Sequence, residues 1–91
     1  MSNLSELAMD LRMRGTSVME VAKKAKVKQT IVSRVCAGAV FSQKVEKELI
    51  NLGCGYLLKK VQIKTGIFDQ ERFDKMVEEI KGENNGKNIL R

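Results

Sequence analysis

Between positions 16 and 35 the small and β-branched apolar residues fall at spacings that admit few folds. Val18, Val21, Ala22 and Ala25 recur at the i, i+3, i+4, i+7 interval of a helix with one buried face. After Val27 a second inward set follows, Ile31, Val32 and Val35. This run predicts two short helices joined by a tight corner, with Val27 plugging the corner. Two helices that cross steeply need a small residue where they touch, and Ala22 supplies it. Ser17-Val18-Met19-Glu20 is an S-x-x-E capping box, a start signal for the first of the pair. The second spans about 29–37 and is ended by Gly38. Its remaining side chains are Gln29, Thr30, Ser33 and Arg34. Their donors and acceptors suit base edges in a major groove, where Gln pairs bidentately with adenine and Arg with guanine.

The flanks read as further helices. Over 3–14, Leu4, Leu7, Ala8 and Leu11 mark one buried face, and Gly15 sits where a left-handed cap is usual. Ser42 is placed to cap a helix running to about 51, with Val45, Leu49 and Leu52 inward and Gly53 after it. Beyond Cys54-Gly55 the pattern changes. Lys60-Val61-Gln62-Ile63-Lys64 alternates polar and apolar, which predicts a half-buried strand. A short helix through Leu57, Leu58 and Val61 is the alternative. Asp69 caps a last helix ending near Lys81, with Phe68 and Phe73 at the two positions of a hydrophobic staple. Phe73, Met76, Val77 and Ile80 form its apolar stripe, and Gly82 is read as its stop. The expected fold is therefore mainly α: a four-helix helix-turn-helix DNA-binding domain over 1–55, a C-terminal strand and amphipathic helix over 56–82, and a flexible tail over 83–91.

Composition narrows the function classes. A chain of 91 residues has a small core, so a partner subunit would add stability. Aromatics are 4% and Trp, Pro and His are absent, which argues against a base-stacking RNA sheet and a His-based catalyst. The net charge is +6, with nine basic and five acidic residues over 1–55 against eight and six over 56–91. That excess favours polyanions. Cys36 and Cys54 come without His or a CxxC spacing, so no metal and no cofactor is expected, and Cys36 reads as a packing residue. No catalytic residues are expected either: there is no paired-carboxylate site and no phosphate-cradling glycine loop. No apolar run approaches ~18 residues, and Met-Ser-Asn-Leu-Ser-Glu lacks a secretory pattern. The expected setting is a reducing cytoplasm, with free thiols and no membrane contact.

Val21-Ala22-Lys23-Lys24-Ala25-Lys26-Val27-Lys28-Gln29-Thr30-Ile31-Val32-Ser33-Arg34-Val35 resembles the helix-turn-helix of lambda-repressor-like proteins. It is most similar to the headpiece of the lactose-repressor family, which typically reads Val-Ala-x-x-Ala-Gly-Val-Ser-x-x-Thr-Val-Ser-Arg-Val. Gly38, Ser42 and Leu52-Gly53 also suit that family's next helix, so the resemblance covers about residues 4–53. There are two departures. Lys26 stands where Gly is common, and a positive φ there would cost on the order of 1–2 kcal/mol. Lys28 stands where Ser or Thr often caps the recognition helix. Both add positive charge near the expected path of a DNA backbone.

The resemblance implies that Gln29 and Thr30 enter the groove from the start of the recognition helix. Arg34 would reach a guanine or a phosphate, and Ser33 a base or the backbone. Ser17, Lys26, Lys28, Ser42 and Lys44 are the implied phosphate contacts. A chain of this length has no room for that family's sugar-binding domain, which points to the compact repressors of phages and mobile elements. Cro-like members pair through a C-terminal strand. A homodimer on a near-palindromic operator is therefore expected. It would be held by a strand edge carrying Val61 and Ile63, by the Phe73, Met76, Val77, Ile80 stripe, or by both; otherwise the last helix folds back on its own core. The expected function is a sequence-specific double-stranded DNA-binding regulator, repressing by operator occlusion. The rivals are a DNA-binding antitoxin, whose C-terminal third grips a protein partner, and a protein-interaction adaptor that does not bind DNA.

Overall fold

The computed structural model describes the backbone of residues 6–89 and the side chains of residues 6–82. The expected start of the first helix at 3–5 lies outside the described residues. Within them the chain is mainly helical: α1 (Glu6–Met13), α2 (Val18–Ala25), α3 (Gln29–Cys36), α4 (Gln43–Asn51), α5 (Gly55–Thr65) and α6 (Gln70–Ile89).

The ends of α1 to α5 close in one way. At the end of α2, Val27 N–H donates to the Ala22 carbonyl at 3.0 Å and Lys26 N–H to the Lys23 carbonyl at 3.3 Å. This paired closure requires a left-handed residue at the turn. It recurs after α1, α3, α4 and α5, where Gly15, Gly38, Gly53 and Gly66 supply the positive φ. Only Gly lacks the Cβ that makes this conformation costly. At α2 the position is filled by Lys26, at φ 59° and ψ 45°, the one non-glycine residue with positive φ among the described residues.

Helix starts also follow local chemistry. Ser17 Oγ accepts the Glu20 N–H at 3.3 Å, and Asp69 Oδ1 accepts the Arg72 N–H at 3.2 Å, each at the expected cap. Phe68 and Phe73 meet with ring centroids 5.7 Å apart, so the staple forms. Two starts differ. Lys28 precedes α3 with no side-chain cap. Ser42 precedes α4 but its hydroxyl makes no cap bond; instead its N–H donates to Glu46 Oε1 at 3.0 Å. The expected cap at Ser42 is thus replaced by a carboxylate reaching back from within the helix.

One apolar cluster unites α1 to α5: Leu7, Leu11, Val21, Ala22, Ala25, Val32, Val35, Cys36, Val45, Leu49, Cys54 and Leu58. Val27 packs against it from the corner, as does Phe73 from α6. Leu58 is fully buried, worth on the order of 2 kcal/mol in apolar burial. Gly38 lies so close to α5 that an added Cβ would sit 2.8 Å from the Val61 carbonyl oxygen, and Thr65 Oγ1 donates to the Gly38 carbonyl at 2.6 Å.

Three expectations are corrected. Residues 60–64 are not a strand but part of α5, and no strand occurs among the described residues. The alternation misleads because Gln62, a polar residue, points inward with Leu58 one turn before it, while Ile63 is 55% exposed. Gly82 does not stop the last helix, whose backbone continues to Ile89; a helix tolerates an interior Gly at a cost of about 1 kcal/mol. The part of the tail at 90–91 lies outside the described residues. The apolar stripe of α6 is not an outward surface: Met76 and Ile80 are buried within the single chain, and Phe73 and Val77 are half-buried. The helix folds back on its own core, helped by Lys47 and Glu79 at 2.6 Å.

Candidate nucleic-acid interface

The side of α3 opposite Val32, Val35 and Cys36 carries the polar residues singled out above. Gln29, Thr30, Ser33 and Arg34 are all exposed. Their spacings of three and four place them together on one helical face. The core-facing residues set the rotation of α3, and that rotation presents these four outward. Ser17 is half-buried at the start of α2 and lines one shallow groove, of about 230 Å³, with Gln29 and Ser33. Arg12 of α1 and Met19 of α2 line the same groove. Sequence reasoning did not single out Arg12, because nothing local to α1 relates it to α3.

Lys26 and Lys28 occupy the corner leading into α3, and both are exposed. Ser42 is half-buried and Lys44 exposed at the start of α4. Residues 16–44 contain six basic residues and one acidic residue, Glu20. Of those six, Lys24 has a carboxylate within reach, Glu48 at 4.0 Å. Among the described residues Lys23, Lys26, Lys28, Arg34 and Lys44 have no ion pair. Acidic side chains gather elsewhere: Asp69, Glu71, Asp74, Glu78 and Glu79 line a groove of about 680 Å³ along α6. Unpaired cations on one region keep their charge available to a polyanion.

The residues expected at a subunit contact are not brought together. Met76 and Ile80 face the core, Val61, Phe73 and Val77 are half-buried, and Ile63 is exposed on α5. A network that the sequence pattern did not single out holds this end. Glu46 is fully buried; its Oε2 accepts from Gln62 Nε2 at 2.7 Å and from Arg72 at 2.8 Å. A polar residue at each of two inward helical positions was the available signal.

No group of His, Cys, Asp and Glu among the described residues is arranged to hold a metal ion. Cys36 and Cys54 are free and buried. Burial pushes both thiols up to about 11, with the hydrogen bond from Cys54 Sγ to Asp10 adding to its shift, so both stay protonated at neutral pH. Among the described residues no helix is long and apolar enough to cross a membrane. Compared with known proteins, the chain matches no family model, no curated protein and no solved structure.

Proposed function

We propose that α2 and α3 form a helix-turn-helix and that the protein is a sequence-specific regulator of transcription that binds double-stranded DNA. The observation that carries this reading is the outward face of α3. Four hydrogen-bonding side chains, Gln29, Thr30, Ser33 and Arg34, share it, and unpaired Lys26 and Lys28 stand at its approach. On this reading Gln29, Thr30 and Arg34 read bases, with Ser33 beside them. Ser17, Lys26, Lys28, Ser42 and Lys44 hold phosphates and set the register. Most of the affinity comes from those phosphate contacts and falls steeply with salt.

The regulator acts as a homodimer on a near-palindrome, in the manner of a small phage or mobile-element repressor, and blocks polymerase by occupying the operator. Ile63 and Tyr56, two turns apart on α5, are 55% and 77% exposed and supply apolar surface for the pairing. Sedimentation of the full chain over a range of concentrations tests this part; a monomer on DNA and off it rules the dimer out.

Selection from a pool of randomised duplexes with the full chain tests the central claim. Enrichment of a near-palindrome establishes a sequence-specific dimeric regulator. Retention without enrichment means non-specific binding. No retention rejects DNA binding and leaves the protein-interaction adaptor as the working hypothesis.

A further inference from the structure

Two arginines near the end of α1 have different surroundings. Arg14 is committed to the fold: its Nε donates to Asp10 at 2.7 Å, and its terminal nitrogens donate to the carbonyls of Leu52 and Gly53 at 3.1 and 3.2 Å. These bonds tie α1 to the end of α4. Arg12 is exposed and makes no ion pair or side-chain hydrogen bond among the described residues. It nevertheless lines the groove that holds Ser17, Gln29 and Ser33.

We propose that Arg12 clamps a DNA backbone phosphate at this groove, making α1 a third helix that contacts the duplex. The inference rests on the DNA-binding reading above and adds a residue outside the α2–α3 segment to it. A guanidinium presents a planar fork of donors matched to two phosphate oxygens. Ser17 Oγ accepts the Glu20 N–H, which leaves its own hydroxyl proton free to donate to the same phosphate. Ala8, Val18 and Met19 give the groove apolar walls, which weaken the competition from water for that ion. Because Gln29 and Ser33 line the same groove, a phosphate seated here fixes how deeply the start of α3 enters the major groove. Arg12 thereby positions the base-reading residues without reading a base.

A structural role competes with this one. Arg12 lies in the last turn of α1, where a cation is favoured by the helix dipole. That role would appear in thermal stability and would leave the salt dependence of DNA binding unchanged. The test is fluorescence anisotropy of a labelled duplex of mixed sequence, titrated with the full chain from about 50 to 200 mM salt. For Arg12→Gln, the slope of log affinity against log salt should become shallower by about 0.9 for each bound protomer, the share of one phosphate, and so by about 1.8 for the dimer. Arg12→Lys should keep most of the slope, and Lys75→Gln, on the acid-lined groove of α6, should keep all of it. An unchanged slope for Arg12→Gln, with or without a lower melting temperature, overturns the inference while the DNA-binding reading stands. Failure of the unaltered chain to bind any duplex overturns both.

Discussion

Arg72 of α6 grips both oxygens of the buried Glu46 carboxylate in α4, at 2.8 and 2.5 Å, and lies 3.8 Å from the centroid of the Phe41 ring. Gln62 of α5 and the Ser42 N–H complete the carboxylate's partners. One acid thus collects α5, α6 and the entry to α4. A buried charge with every lone pair engaged is tolerated; the same charge with its cation removed is not.

Arg72→Ala should therefore destabilise the fold by about 3 kcal/mol, at the low end for a broken buried pair because the Arg72 side chain is 27% exposed. Glu46→Leu combined with Arg72→Met should recover only part of that loss, since it removes both charges together but leaves the buried Gln62 amide and the Ser42 N–H without their acceptor. Urea denaturation of the singles and the double measures the coupling. A loss below about 1 kcal/mol for Arg72→Ala would show a surface-type pair instead.

Lys26 and Lys28 both hold positions where another residue is better for stability. Lys26→Gly should stabilise by about 0.5–1 kcal/mol, the left-handed strain relieved less the added freedom of Gly in the unfolded chain. Lys28→Ser should add about 1 kcal/mol by capping α3. Each should also weaken duplex binding and flatten its salt dependence. Thermal unfolding and DNA titration on the same preparations test the pair. Stabilisation with unchanged DNA affinity would remove these lysines from the phosphate contacts.

On the proposed reading, Arg34 reads a base and Lys44 holds a phosphate, and their variants differ accordingly. Arg34→Ala should relax preference at one base position by about 1–3 kcal/mol. Lys44→Ala should weaken every sequence alike. Competition between the selected duplex and single-base variants distinguishes them. Equal loss on all sequences for Arg34→Ala would reassign it to the backbone.

The buried thiols make stability fall at alkaline pH. Cys36 is pushed from 9.0 to about 11 by burial, so above pH 9 the unfolded chain loses this proton while the folded chain keeps it. The stability is complete below pH 9. It then declines by about 1.4 kcal/mol per pH unit for this thiol until the folded group also ionises near pH 11. Cys36→Ala should lower stability at neutral pH and make the alkaline decline shallower. Urea midpoints taken across that range decide it; a parallel decline in the variant would exclude Cys36 as a source.

Local chemistry made much of this chain legible before its structure. The Ser17 and Asp69 caps, the Phe68–Phe73 staple and the glycine closures at Gly15, Gly38 and Gly53 each depend on residues within a few positions of one another, whereas the positive φ at Lys26 was expected only from the resemblance. Their free energies are therefore written in short stretches of sequence. The outward set on α3 was legible for a related reason, because helical period and the apolar residues opposite determine which side chains remain for solvent. What lay beyond reach involved distant partners. Whether 60–64 became strand or helix turned on Gln62, whose burial is acceptable because Glu46 and then Arg72, both far away in the chain, satisfy the polar groups there. The side on which Met76 and Ile80 lie, inward instead of toward a second copy, followed from the docking of α6 on α4. Arg12 joined the groove through the packing of α1 against α3. Hydrophobic pattern ranks residues one at a time, whereas burial of a polar group is a property of the set that meets it, and the tertiary fold assembles that set.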